Sequence, residues 1–132
     1  MLLAAIIPSL IFAGCNQNAQ EIKTETQANS YQQISAAEAK AMMDEQDDVL
    51  ILDVREQSEY DESHIPGAVL LPVGSITEES AAEVIPEKEK VVLVYCRSGN
   101  RSKRASQALA DLGYTNIYEF GGIKDWPYEK EH

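Results

Sequence analysis

The chain has 132 residues, and its apolar and charged fractions of 44% and 25% are close to those of globular domains, so it has enough chain for one compact domain but not for two. A formal net charge of -11 at pH 7 excludes general binding to nucleic acid or to anionic lipid headgroups, which requires a basic surface. The basic residues are nevertheless clustered, because no acidic residue occurs from 91 to 110, where Arg97, Arg101, Lys103 and Arg104 lie.

The first fifteen residues, MLLAAIIPSLIFAGC, are uncharged and mainly apolar, which is typical of a secretion signal. The run is too short to span a bilayer as a helix, and Pro8 interrupts it. Ala13 and Gly14 directly before Cys15 resemble the lipobox of bacterial lipoproteins, in which the cysteine becomes the lipidated N-terminus after cleavage. The resemblance implies that Cys15 is a lipid anchor and that the protein is exported and held on the periplasmic or extracytoplasmic face of a bacterial membrane. An ordinary cleaved signal and an uncleaved apolar anchor stay open.

Residues 16–30 are rich in Asn, Gln, Thr and Glu and show no apolar periodicity, so we predict a flexible tether. The folded domain is predicted over residues 31–128, followed by a short tail at 129–132. Ser35 is a suitable N-cap with Glu38 three residues later, and the alanines and methionines that follow favour a helix that ends near residue 46.

Short apolar runs rich in branched residues predict the first strands of the domain. Residues 49–54 form a continuous apolar run of the kind that is buried on both faces of a parallel sheet. A polar connection at 55–64 leads to a turn at Pro66 and Gly67, and residues 68–71 form a second short strand.

The second half of the domain alternates in the same way. Residues 75–85 have helical composition, and residues 91–95 form the third buried apolar run. Residues 102–112 place four apolar side chains on one stripe of a helix, and residues 116–120 form a last strand. Strands that alternate with helices predict an α/β domain with a mostly parallel sheet.

Cys96 is the first residue after the predicted strand at 91–95, and ligands of parallel sheets bind beyond the carboxyl ends of the strands. The helix that follows directs its N-terminal amides toward this loop, and Gly99 lets the backbone turn without a side-chain clash. Arg97 and Arg101 add positive charge. Cysteines in such positions have pKa values lowered to about 3.5 to 7.5, so we predict that Cys96 is largely a thiolate at neutral pH.

A disulfide, a metal ligand and an inert core residue are the alternatives to a reactive thiolate at Cys96. Cys15 is the only other cysteine, and a disulfide between the two would tether flexible chain without closing a useful framework. His64 and His132 show no ligand spacing, so we expect no metal and no cofactor. An inert core cysteine, and a serine nucleophile at Ser98 activated by a distant His64, stay open as alternatives.

Five ordered segments of the chain resemble the rhodanese family over about residues 31–128. They are Leu52-Asp53-Val54-Arg55, Glu59-Tyr60, His64-Ile65-Pro66-Gly67-Ala68, Tyr95-Cys96-Arg97-Ser98-Gly99-Asn100-Arg101, and Gly121-Gly122 with Trp126. The resemblance implies a single α/β domain with a five-stranded, mostly parallel sheet that is flanked by helices on both faces.

The resemblance also implies a sulfurtransferase. In this family the cysteine takes sulfane sulfur from a donor such as thiosulfate, forms a persulfide, and passes the sulfur to cyanide or to a thiol of a small molecule or a protein. Cys96 is then the catalytic residue, and the donor is expected to bind the rest of the loop, formed by Arg97, Ser98, Gly99, Asn100 and Arg101. The family implies structural support from Asp53, Arg55, Glu59 and His64. We expect a monomer whose membrane contact is limited to the N-terminal anchor.

Two further alternatives concern the function of the loop. Related cell-cycle phosphatases hold a tetrahedral oxyanion in a loop with five residues between cysteine and arginine, whereas four residues separate Cys96 from Arg101 here and Ser102 takes the place of the phosphatase arginine. The tighter loop suits sulfur better than phosphate. The other alternative is a rhodanese-like binding module or passive sulfur carrier with little turnover of its own.

Overall fold

A computed structural model of the chain describes residues 29–132. The predicted signal segment, the predicted lipid anchor at Cys15 and nearly all of the predicted tether lie outside the described residues. The described part contains strands β1 (Gln32–Gln33), β2 (Val49–Asp53), β3 (Val69–Leu70), β4 (Val91–Cys96) and β5 (Ile117–Gly122), and helices α1 (Ala36–Glu45), α2 (Gln57–Glu62), α3 (Glu78–Val84) and α4 (Asn100–Asp111). Short 3-10 turns occupy Val73–Ser75 and Ile123–Asp125.

The strands of residues 29–132 form a five-stranded sheet in the order β1-β5-β4-β2-β3, and every neighbouring pair is parallel. The pairing of β2 with β4 runs in register from Val49 opposite Val91 to Asp53 opposite Tyr95. β4 therefore lies in the middle of the sheet, where both of its edges are hydrogen-bonded. This position explains why its sequence is a continuous apolar run.

The two faces of the sheet carry separate hydrophobic cores. Val92 and Val94 of β4 belong to the core under α3 and α4, whereas Leu93 and Tyr95 belong to the core under α1 and the C-terminal segment. Alternate residues of one strand thus fill opposite cores, as the pleat of a strand requires. The parallel five-stranded sheet with helices on both faces confirms the predicted fold class.

One helix of the structure was not expected from the sequence. Residues 55–64 are predicted to be a polar connection, but residues 57–62 form α2. No residue of α2 is buried, so the segment shows no apolar stripe from which a helix is predicted. Its first turn is stabilised instead by a capping box, in which the side chains of Glu56 and Glu59 accept from each other's backbone amides.

Two other helices have different starts from those predicted. Thr77 caps α3 by accepting a hydrogen bond from the backbone amide of Ser80, so α3 begins at Glu78 rather than at residue 75. α4 begins at Asn100 instead of residue 102, directly after Gly99, whose φ of +110° is left-handed. Glycine adopts this conformation without the steric cost that other residues incur, and it lets the loop pass into the helix within one residue.

The C-terminal residues pack against the body of the domain. Trp126 is only 4% exposed and contacts Phe120 in the core under α1. Further on, the backbone amide and carbonyl groups of Glu131 and His64 exchange two hydrogen bonds of 2.7 and 2.8 Å. Within residues 29–132, no helix is long and apolar enough to cross a membrane.

Candidate active site

Cys96 is the last residue of β4 and lies at the carboxyl edge of the sheet. It is 1% exposed and is followed by the bend at residues 97–99 and then by α4. Cys96 itself pairs with Gly122 of β5, and the residue before it, Tyr95, pairs with Asp53 of β2. The predicted position of the loop, between a buried strand and the N-terminus of a helix, is therefore observed.

Hydrogen-bond donors surround the sulfur of Cys96. The backbone N–H of Gly99 donates to Sγ at 3.0 Å, and the hydroxyl oxygen of Ser102 lies 3.4 Å from Sγ. Burial alone raises the pKa of the Cys96 thiol, but hydrogen bonds from Ser102 and from backbone amides of the loop outweigh burial and bring the pKa below its ordinary value. The side chain is thus predisposed to exist as a thiolate, which is the nucleophilic form.

The loop is also fixed from β5 and from the 3-10 turn that follows it. The backbone amide of Lys124 donates to the carbonyl of Arg97 at 3.2 Å. A Cβ built at Gly122 would lie 1.9 Å from that same carbonyl oxygen and 2.6 Å from the Cα of Ser98, so only glycine fits between β5 and the loop. This close approach is the physical reason for a glycine at position 122.

Arg101 faces the loop on one side and an acidic residue on the other. Its guanidinium forms a two-pronged ion pair with Glu59, with N–O distances of 2.8 and 3.0 Å. The hydrogen bonds from Arg101 hold the pKa of the Glu59 carboxyl at about 2, well below its usual range. The hydrogen bonds to Glu59 raise the pKa of Arg101, and a negative charge on Cys96 raises it further. Arg101 therefore ties α4 to α2 and supplies positive charge near the sulfur.

The other loop residues predicted to bind the donor lie at the surface. The side chains of Ser98 and Asn100 are exposed, and so is that of Arg97. Arg97 lines a cavity of about 180 Å³ to which Lys124 and Lys130 also contribute. The role of these residues in binding the donor stays a prediction.

Asp53 and Arg55 form a buried ion pair at the end of β2. The two side chains are 0% and 5% exposed, and the shortest distance between them is 2.7 Å. Asp53 also accepts a hydrogen bond of 2.6 Å from the hydroxyl of Tyr95, and Arg55 donates to the carbonyl of Ser63 at 2.7 Å. These contacts join β2, β4 and the segment after α2, in keeping with the structural role that the family resemblance implies.

His64 makes contacts that connect α2 with the C-terminal segment. Its ring stacks on that of Tyr60 with centroids 3.8 Å apart, its Nδ1 lies 2.9 Å from the carbonyl of Tyr60, and its Nε2 lies 3.3 Å from the carboxylate of Glu131. Both ring nitrogens therefore face partners other than Ser98, and these contacts give no support to a serine nucleophile.

Two buried polar residues beside Cys96 had no role in the site predicted from the sequence. Ser102 is 0% exposed and Glu119 only 2%, and the Ser102 hydroxyl donates to the Glu119 carboxylate at 2.5 Å. The carboxylate also accepts the backbone N–H of Gly121 at 2.9 Å. An acidic residue within the apolar strand at 116–120 was the available signal, because a charge is rarely buried without a partner.

A parallel α/β sheet that presents a buried, activated cysteine in a tight loop at the end of its central strand defines the class of cysteine-dependent group-transfer domains. Comparison with known proteins identifies the family. The rhodanese-like domain family matches residues 35–129, and the chain therefore belongs to the rhodanese-like family, as the sequence segments predict.

Several relatives are named for sulfur chemistry. The chain is 38% identical over 97 residues to the thiosulfate sulfurtransferase GlpE of Coxiella burnetii, covering 73% of this chain and 87% of that protein. It is 36% identical over 74 residues to the thiosulfate sulfurtransferase PspE of Escherichia coli, covering 56% and 70%. The putative sulfur carrier protein YrkF of Bacillus subtilis is 33% identical over 105 residues, covering 79% and 55%. These similarities support sulfur transfer as the general chemistry of the chain.

Solved structures show the same architecture. A rhodanese with anions from E. coli is 34% identical, with a TM-score of 0.57 over 61% of this chain and 94% of the other. The rhodanese-like domain of the Alr3790 protein from Anabaena is 27% identical, with a TM-score of 0.69 over 75% and 77% of the two chains.

Proposed function

We propose that the protein is a sulfurtransferase that carries sulfane sulfur on Cys96 as a persulfide. The observation that carries this proposal is the environment of Sγ, in which the Gly99 amide and the Ser102 hydroxyl approach a buried sulfur. The same amide that stabilises the thiolate is placed to stabilise the anion of a persulfide. The thiosulfate sulfurtransferases GlpE and PspE, to which the chain is similar, support thiosulfate as the donor.

The reaction has two steps of sulfur transfer. In the first, the Cys96 thiolate attacks the outer sulfur of thiosulfate, a bond forms between Sγ and that sulfur, and the sulfur–sulfur bond of the donor breaks so that sulfite leaves with the electron pair. In the second, a thiolate acceptor or cyanide attacks the outer sulfur of the persulfide. The bond to Sγ breaks, Cys96 returns as a thiolate, and the acceptor leaves as a persulfide or as thiocyanate.

The test uses the full chain with Cys15→Ser, so that Cys96 is the one cysteine left of the two in the sequence. Incubation with thiosulfate is expected to add one sulfur atom to the intact mass, and cyanide is expected to remove it as thiocyanate. The matched control is the same chain with Cys96→Ala added, which should gain no sulfur. The proposal is wrong if the protein with Cys96 gains no sulfur and forms no thiocyanate.

A sulfur carrier with little turnover is the second candidate, because the chain is also similar to the putative sulfur carrier protein YrkF. The two functions differ in the second step. A sulfurtransferase releases thiocyanate or a small-molecule persulfide in many cycles per protein molecule, whereas a carrier is loaded once and discharges only to a specific protein. Counting product molecules per loaded Cys96 separates them.

The Glu59–Arg101 ion pair favours sulfur transfer over phosphate chemistry. The guanidinium of Arg101 is held by the Glu59 carboxylate at 2.8 and 3.0 Å, and the next residue along the helix is the buried Ser102. The guanidinium of Arg101 is therefore not free to bind a tetrahedral phosphate, and Ser102 supplies no positive charge at the position of the phosphatase arginine. We expect no hydrolysis of a phosphate ester under conditions in which sulfur transfer is readily measured.

We also propose that the protein is exported and anchored through a lipid on Cys15. The support is the sequence from residue 1 to 15, with its apolar run and its small residues before the cysteine. In bacterial cells, the unaltered protein is expected in the membrane fraction and the Cys15→Ser protein outside it. Retention of the Cys15→Ser protein in the membrane contradicts lipidation.

The monomeric state stays a prediction that size-exclusion chromatography with light scattering would check.

A further inference from the structure

The last four residues of the chain, 129–132, are held against the domain as a strap. The backbone groups of Glu131 and His64 exchange two hydrogen bonds of 2.7 and 2.8 Å in an isolated antiparallel bridge. Beyond the bridge, Nδ1 of His132 lies 2.9 Å from the carbonyl of Glu62. The sequence predicts a short tail at this point, whereas the structure shows a segment tied to the end of α2. We call residues 129–132 the C-terminal strap.

Lys130 lies between two anchored neighbours on the C-terminal strap. On one side, the indole N–H of Trp126 donates to the carbonyl of Glu129 at 3.1 Å. On the other side, Glu131 is bridged to His64 through the backbone, and its carboxylate lies 3.3 Å from Nε2 of that histidine. The backbone at Lys130 is therefore fixed from both directions, and its side chain lines the cavity of about 180 Å³ beside the loop.

The charge balance of this cavity depends on Lys130. Two charged groups of its lining are already paired, because Arg55 pairs with Asp53 and Glu59 pairs with Arg101. The charged groups of the lining that form no ion pair within residues 29–132 are three cations and one acid, namely Arg97, Lys124, Lys130 and Glu62. Loss of Lys130 leaves two cations against one acid, so the excess of positive charge falls by half.

The cavity adjoins the loop that holds the reactive cysteine. Arg97 follows Cys96 directly in the chain, and its carbonyl accepts a hydrogen bond of 3.2 Å from the backbone N–H of Lys124. The molecule as a whole repels anions, because its net charge is -11. A small group of unpaired cations beside the loop therefore raises the concentration of anions near Cys96 against the field of the whole protein.

We propose that Lys130 is a specificity-determining residue for anionic sulfur donors, and that the bridge between Glu131 and His64 positions it. The C-terminal strap is thereby part of the rim of the active site and selects donors by their charge. A donor with two negative charges, such as thiosulfate, gains more from Lys130 than a thiosulfonate with one. The role is electrostatic and involves no change of covalent bonds.

Two alkylating reagents of different charge test the role of Lys130. The sample is the Cys15→Ser chain at low salt, in which Cys96 is the one cysteine left of the two in the sequence. Lys130→Ala should lower the rate with anionic iodoacetate by about threefold and leave the rate with neutral iodoacetamide unchanged. Lys130→Arg should keep the original iodoacetate rate, and added salt should remove the difference between the variants.

The matched control is Lys103→Ala, which removes the same charge from an exposed position on α4 outside the cavity. It should lower the iodoacetate rate much less than Lys130→Ala does. An iodoacetate rate that does not depend on Lys130 overturns the inference. Equal falls with both reagents overturn it too, because they would mean that Lys130→Ala disturbs the structure of the site and not its charge.

A pair of substitutions at Glu131 tests the bridge. Proline has no backbone N–H, so Glu131→Pro removes the 2.7 Å bond to the His64 carbonyl, whereas Glu131→Ala removes only the carboxylate. Relative to Glu131→Ala, we expect Glu131→Pro to lower the iodoacetate rate about as much as Lys130→Ala does. When Lys130→Ala is already present, the two should give equal rates, because effects that act through one residue are not additive. Equal rates with Lys130 in place contradict the positioning role of the bridge.

This inference rests on the proposed function only in identifying the anion as a sulfur donor. If sulfur loading succeeds, Lys130→Ala should raise KM for thiosulfate by about 3- to 10-fold with little change in kcat, and should raise KM for methanethiosulfonate less. An equal rise for both donors contradicts selection by charge. If no sulfur is gained while the iodoacetate rate depends on Lys130 as expected, the sulfurtransferase proposal is rejected and the electrostatic role of the strap stands.

Discussion

Cys96 is stabilised as an anion mainly by hydrogen bonds. The guanidinium of Arg101, which interacts electrostatically with Cys96, is already paired with Glu59, whereas the Gly99 amide lies 3.0 Å from Sγ. Fixed backbone donors lose little freedom when the charge forms, and in the proposed reaction they would still be in place when the charge moves to the outer sulfur of a persulfide. The ionisation of Cys96 is therefore a property of the loop conformation.

The rate of alkylation of Cys96 should follow the fraction of Cys96 that is ionised. The pKa of the thiol is below its ordinary value, so the rate should stay high at neutral pH and fall only as the pH drops through the lowered pKa. We expect the midpoint of iodoacetamide reaction to lie below about 8.5, the pKa of an unperturbed cysteine. The Cys15→Ser chain unfolded in urea is the reference and should show the ordinary value. A folded midpoint equal to or above the unfolded one contradicts the prediction.

The Glu59–Arg101 pair should make stability dependent on pH. The pKa of Glu59 is lowered from 4.5 to about 2, so its stabilisation is complete above the unfolded pKa and is lost as the pH falls from about 4.5 toward 2. The two side chains are 26% and 25% exposed, and solvent screening reduces the effect. We expect Glu59→Gln to lower the free energy of unfolding at pH 7 by about 1 to 2 kcal/mol.

Urea denaturation at neutral pH and near pH 2 measures this difference, which should be largely lost at the lower pH. The control is Asp44→Asn, which removes the exposed pair between Lys40 and Asp44 and should change stability by less than about 0.5 kcal/mol. An effect of Glu59→Gln that is the same at both pH values would mean that packing, not charge, accounts for it.

At the scale of elements, the sequence predicts those parts whose signal is local. β2 and β4 are continuous apolar runs, and the end of β4 locates Cys96 without any knowledge of the fold. β1 gives no such signal, because its two residues are both exposed and its strand character depends on pairing with β5, more than eighty residues away in the chain. The partnership of Glu119 with Ser102 is unpredictable for the same reason, since it requires the packing of α4 on β5.

The close contact between β5 and the loop predicts the effect of a substitution at Gly122. A Cβ at Gly122 would lie 1.9 Å from the carbonyl oxygen of Arg97, so Gly122→Ala must displace the loop. We expect a loss of stability of about 1 to 3 kcal/mol and a fall of at least about tenfold in the alkylation rate of Cys96, because the Gly99 amide moves away from Sγ. The far-ultraviolet circular dichroism spectrum should remain that of an α/β protein.

Gly74→Ala is the matched control, because a Cβ at Gly74 meets nothing within 4 Å. This variant should keep both the stability and the alkylation rate of the unaltered protein. Equal effects of the two substitutions would show that the contact with the loop is not what requires glycine at position 122.

At the scale of the whole molecule, a net charge of -11 repels an anionic donor such as thiosulfate. The cavity of about 180 Å³ beside the loop is different, since cations outnumber acids in its lining. Besides Arg55, Glu59 and Glu62, it is lined by Arg97, Lys124 and Lys130. None of these three side chains forms an ion pair within residues 29–132. A local cluster of cations raises the concentration of an anion near it even when the net charge is negative.

The positive charges that line this cavity should influence the binding of thiosulfate. Arg97→Ala and Lys124→Ala should each raise KM for thiosulfate by about 3- to 10-fold with little change in kcat. The double variant should also show a weaker dependence of KM on salt, because the charges that salt screens have been removed. Lys103→Ala and Arg104→Ala remove the same charge from exposed positions on α4 outside the cavity. Steady-state kinetics at low and high ionic strength distinguish the two pairs. If all four substitutions raise KM equally, the net charge of the molecule governs donor capture and the cavity has no special part in it.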